Sequence, residues 1–128
     1  MAGATKEDAR LIVDLARLYI ESESNKAAAL FWSDDFPRSP EEFRQRYPLS
    51  SDEARRIYAA LGFFETVATL WKHKLIDEEL LLDWLSVGGA WERLREIALD
   101  MREQAGEPRL WENFEALAQA QAPASAPA

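Results

Sequence analysis

Apolar positions along this 128-residue chain recur at spacings of three and four, the period of a helix. Leu11, Leu15 and Leu18, flanked by Ile12 and Tyr19, mark one face of a first helix from Thr5 to about Ser24. Thr5 is its expected cap, and Glu7 and Asp8 lie where the helix dipole favours negative charge. A shorter segment, NKAAALFW, follows and stops before SDDFPRSP, whose prolines mark a loop. Ser39 then stands as a cap, with Pro40 at the first helical position and Glu41 and Glu42 in the first turn. This predicts a short helix over 40–47, stopped by Pro48. Ser50 and Glu53 have the S-x-x-E spacing of a capping box and open the longest helix, 50–74.

Asp77 caps the next segment, EELLLDWLSV, with Gly88 or Gly89 as its expected stop. AWERLREIALDMREQA then ends at Gly106, and Pro108 opens PRLWENFEALAQ. Residues 119–128 are rich in Ala, Pro and Ser, which predicts a disordered tail. No segment alternates as a strand does. The expected fold is all-α: a single domain over 1–118, with five to seven helices bundled around helix 50–74.

That helix is apolar nearly all round, as a central helix must be. Ala54, Ile57, Tyr58, Leu61, Phe64, Ala68 and Trp71 form one face, and Ala60, Phe63, Val67 and Leu70 an adjoining one. On the remaining small-residue stripe, Gly62 is placed to admit a neighbouring backbone. Glu65 falls at the border of the first face, and a carboxylate there must be paired, protonated or open to a cavity. In helix 89–105 the residues Trp91, Arg95, Ala98 and Arg102 recur on one stripe, so Arg95 or Arg102 is the expected forked partner. Loss of the charge would then leave an arginine uncompensated, at a cost on the order of 3 kcal/mol.

Composition narrows the functions. Fifteen basic against twenty-three acidic residues give a net charge of -8, which disfavours nucleic acid and anionic membrane surfaces. Without cysteine there is no disulfide framework, thiolate nucleophile or thiolate metal site. LIVDLARLYI carries Asp14 and Arg17, so it reads neither as a signal segment nor as a membrane span, and a cytoplasmic location is expected. His73, the only histidine, reads as a solvated residue near a helix end; its i, i+4 spacing to Asp77 does not make a metal site. The acidic stretches lack the ligand spacing of a calcium loop. HExxH, phosphate-loop and nucleophile-elbow patterns are absent, so no catalytic set, metal or cofactor is expected. Of five tryptophans, Trp71 and Trp91 lie on core stripes, whereas Trp32, beside Phe31, is a candidate to rim a surface groove.

The C-terminal half carries an ordered series: Phe63, Phe64 and Glu65; Leu75, Ile76 and Asp77; Trp91 and Glu92; Arg102; Gly106; then Trp111, Phe114, Leu117 and Ala118. In this series the chain resembles a small all-helical bacterial domain family of unknown function. The resemblance implies a helical fold and no known activity. Some members of that family follow a membrane anchor, whereas no such segment is found here.

The leading functional expectation is a non-enzymatic interaction or regulatory module that binds a protein partner, or a second copy as a homodimer, through apolar helix surface. Candidate binding residues are Glu65, Arg95, Arg102, Trp32 and Phe31. The alternative is a small-ligand binder or enzyme with an interior pocket at Glu65, Arg95 and Arg102. A third reading is an acidic decoy that captures a basic, nucleic-acid-binding partner.

Overall fold

A computed structural model describes residues 3–125, and among them it contains seven helices and no strand. They are α1 (Lys6–Glu21), α2 (Ser24–Phe31), α3 (Pro40–Arg46), α4 (Asp52–Lys72), α5 (Glu78–Trp84), α6 (Val87–Ala105) and α7 (Glu112–Ser125). The apolar periodicity thus yields an all-α fold around one core, and α4 is its axis. Eight α4 residues are buried, among them Ile57, Leu61, Phe63, Phe64 and Val67. The helix packs chiefly between α2 and α7. Tyr19 of α1 and Phe31 of α2 reach it through rings centred 5.1 Å from Phe63 and 6.5 Å from Phe64.

Local chemistry sets most of the helix ends. Thr5 and Asp8 form a reciprocal capping box at α1, and Ser39 Oγ accepts the Glu42 N–H at α3. Asp8 also accepts the Asp77 N–H at 3.0 Å, tying the start of α1 to the start of α5, which Asp77 itself caps. At α4 the cap is Ser51, one residue later than expected: its Oγ accepts the Ala54 N–H at 3.1 Å. The residue three positions on is then Ala54 and not Glu53, so the expected box does not close. α4 ends with the Lys74 N–H on Trp71 O and the Leu75 N–H on Leu70 O, which puts Lys74 at a φ of 59°. Gly62 admits no close neighbour: no atom lies within 4 Å of where its Cβ would stand.

Three further boundaries differ from the sequence reading, each for a long-range reason. Gly88 and Gly89 do not stop α5; they lie in the first turn of α6. There a Cβ on Gly89 would stand 2.8 Å from Trp32 Cη2, so the glycine admits the indole of a residue far away in sequence. The last helix begins at Glu112 and not at Pro108, because residues 108–111 turn first and Trp111 takes a φ of 62°. That helix also continues past Ala118 to Ser125, where the composition predicts disorder; residues 126–128 of the expected tail lie outside the described residues. Gln121 Oε1 accepts the Gly88 N–H at 2.5 Å, so the extension is joined to α6.

The elbow between α1 and α2 carries a charge cluster. Glu23, at a φ of 63°, holds Arg55 at 2.9 Å and Arg56 and Lys26 at 3.2 Å. Hydrogen bonds from Arg55, then Arg56 and Lys26, lower its pKa from 4.5 to about 2. A carboxylate whose folded pKa is depressed contributes stability above its unfolded pKa and loses it as pH falls toward the folded value. Wild-type stability should therefore drop between about pH 4.5 and 2, and Glu23→Gln should remove that part of the drop. Guanidinium unfolding midpoints of the two proteins, followed across this range, should converge at the acid end. A constant offset would show that Glu23 does not titrate against its arginines.

Candidate functional site

The sequence reading places Glu65 against Arg95 or Arg102. The structure instead takes the carboxylate to the start of α7. Trp111, immediately before that helix, has no side-chain oxygen with which to cap it. Glu65 supplies the acceptor from α4: its Oε1 receives the Phe114 N–H at 2.9 Å. A helix start leaves N–H groups without intrahelical partners and carries positive partial charge, so a carboxylate suits it on both counts. Glu65 forms no ion pair with either arginine among the described residues.

Arg102 serves the same junction from α6. Its Nε donates to Leu110 O at 2.5 Å, and its Nη2 lies 2.7 Å from Glu115 Oε1. Asn113 Nδ2 adds a bond to Thr69 Oγ1, which in turn donates to Glu65 O. Below these polar contacts Phe114 is fully buried, stacked on Phe64 at 4.8 Å and edge-on to Trp91 at 5.1 Å. Gly106, at a φ of 64°, ends α6 just before the turn. Phe64, Glu65, Trp91, Arg102, Gly106, Trp111 and Phe114 all contribute to fastening α7 in place. The arrangement supplies hydrogen bonds and packing, and leaves no carboxylate free at an interior pocket.

The other candidates separate. Phe31 is a core residue, 1% exposed, and rims nothing. Trp32 is 43% exposed; it rests on Gly89 with the Arg93 guanidinium 5.9 Å from its ring centroid, while Arg93 also donates to Ser33 O. Arg95 is exposed and lines a surface cavity of about 530 Å³ with Glu92, Glu115 and Gln121, to which Glu65 does not contribute. The interior pocket expected at Glu65, Arg95 and Arg102 does not assemble, because α4 presents Glu65 to α7 and not to α6. His73 is exposed, and no group of three or more potential metal ligands occurs among the described residues.

Residues 4–121 match the family model of a domain of unknown function, DUF4760. The chain belongs to that family. No curated protein and no solved structure matches it. The match takes in α1–α3 as well as the C-terminal half, so α1–α6 and α7 as far as Gln121 lie within the DUF4760 domain. Among the described residues, no helix is long and apolar enough to cross a membrane.

Within this DUF4760 domain, α1 holds a feature that the sequence reading passes over. Leu15 is buried and Leu11, Ile12 and Tyr19 pack on the core, as their periodicity predicts, but Leu18, expected on the same face, is 38% exposed. Val13 and Ile20, however, are 58% and 57% exposed. With Ala9 and Ala16 they form a second apolar stripe at spacings of four, three and four, turned away from Leu15. The signal was available: an i, i+7 pair of β-branched residues off the leucine face has no place in a simple amphipathic helix.

Proposed function

We propose that this DUF4760 domain is a non-enzymatic interaction module that pairs with a second copy of itself through α1. The observation that carries this reading is the stripe of exposed Ala9, Val13 and Ile20 with half-buried Ala16, whose spacing is that of a coiled-coil seam. Its alternation of small and large residues favours self-pairing. With two α1 helices antiparallel and the axis midway between residues 14 and 15, Val13 meets Ala16 of the second copy and Ile20 meets Ala9. Each large side chain then faces a small one, which lets the helices approach closely.

Sedimentation velocity of wild type beside Val13→Glu/Ile20→Glu tests this. Wild type should sediment at twice its 14.6 kDa, and the double variant at the single-chain mass with unchanged helicity. Because two chains of charge -8 repel, added salt should tighten the wild-type dimer. A wild type that stays monomeric at all concentrations, or a dimer indifferent to the two substitutions, would overturn the reading.

A further inference from the structure

Seven arginines of the chain lie within 4 Å of a carboxylate. With fifteen basic residues among twenty-three acidic ones, partners are plentiful. Arg38, Arg93 and Arg95 nevertheless meet no carboxylate within that distance among the described residues, and all three line a single cavity of about 200 Å³ between the loop before α3 and the middle of α6. Three unpaired guanidiniums at one cavity of an acidic protein are a feature to explain.

The cavity is small and mixed in character. Phe36, Pro37 and Ile97 line it and are buried, so charge beside this apolar wall is screened less than in open water. Arg93 is half-buried and held in place: its Nη1 donates to Ser33 O at 3.1 Å, and its guanidinium carbon stands 5.9 Å from the centre of the Trp32 ring. Neither contact neutralises its charge. Glu92 and Glu96 also line the cavity, both exposed and neither within 4 Å of a guanidinium. Three cations against two carboxylates leave a surplus of one positive charge.

We infer that this cavity binds a small organic carboxylate, a monoanion with an apolar body, through Arg38, Arg93 and Arg95. The guanidinium fork matches a carboxylate with two parallel hydrogen bonds, and one negative charge cancels the surplus. The buried Phe36, Pro37 and Ile97 take the apolar body. Glu92 and Glu96 discriminate against more highly charged anions, and the volume falls below the roughly 300 Å³ at which drug-sized sites begin. The site is independent of the α1 stripe.

Benzoate is a suitable probe for the full chain, with benzyl alcohol as its neutral counterpart and inorganic phosphate as an anion without an apolar body, all at constant ionic strength. Benzoate should move the amide resonances of Arg38 and of residues 92–97 saturably, at one ligand per chain, and bind more tightly than either control. Arg38 and Arg95 are exposed and form no ion pair, so Arg38→Gln and Arg95→Gln should each weaken benzoate about tenfold without lowering the melting temperature. Glu96→Gln removes a competing carboxylate and should tighten it. No saturable shift, shifts elsewhere on the chain, or affinity indifferent to both arginine variants would overturn the inference. Equal binding of benzyl alcohol would reduce the site to an apolar cleft, and equal binding of phosphate would make it an adventitious ion only; either result overturns it as well. The α1 variant Val13→Glu/Ile20→Glu should bind benzoate as wild type does, which separates failure of this site from failure of the pairing.

Discussion

Phe114→Ala should destabilise the domain by about 3–5 kcal/mol, the range for removing a fully buried aromatic ring. Phe114 is 0% exposed, and its ring lies at 10° to that of Phe64 and 77° to that of Trp91. Truncation removes both aromatic contacts and opens a space bounded by α4 and α6, two long helices that cannot collapse into it without moving other core contacts. Phe114, Leu117 and Ala118 are the buried residues of α7 among those whose side chains are described, so the same change loosens the helix that its backbone N–H attaches to Glu65. A fall in melting temperature of roughly 10–20 °C should accompany it. Phe114→Leu keeps most of the volume and should cost well under half as much. If denaturant unfolding shows a loss below about 1 kcal/mol for Phe114→Ala, α7 is not part of the cooperative unit.

Features decided within a few residues were legible in the sequence. The Thr5, Ser39 and Asp77 caps and the Gly106 stop were read correctly, because each depends on a side chain or a φ angle inside one turn. The central position of α4 followed from its all-round apolar character. Apart from the one-residue shift of the α4 cap to Ser51 and the second stripe of α1, what escaped depends on residues distant in sequence. A Gly-Gly pair serves equally to end one helix or to begin the next, and the packing of Trp32 on Gly89 decides between them. Pro108 carries the ordinary signature of a helix start, yet α7 begins four residues later, where Glu65 brings the cap from 49 positions away. Wheel arithmetic placed Glu65 on the correct edge of α4 without saying which helix faces that edge. The candidate site was misread for this reason: two arginines share a stripe of α6, while the surface beside Glu65 is the end of α7.

Glu65→Ala should cost about 1–3 kcal/mol, the worth of a helix cap strengthened by charge. Glu65→Gln should cost distinctly less, because an amide oxygen can still accept the Phe114 N–H and only the favourable interaction of the charge with the helix start is lost. This ordering separates a cap from an ion pair. An ion-pair partner left uncompensated would make Glu65→Gln as damaging as Glu65→Ala, and neutralising that arginine would restore stability. In the structure Arg102 keeps Glu115 and Leu110 O whatever stands at position 65. The double variant Glu65→Ala/Arg102→Ala should therefore be less stable than either single variant, with both changes loosening one end of α7 from different sides. Thermal melts of the four proteins give the answer. Rescue of Glu65→Gln by Arg102→Ala would return the arginine to Glu65; a cost for Glu65→Gln that is small beside that of Glu65→Ala assigns the carboxylate to holding α4 and α7 together.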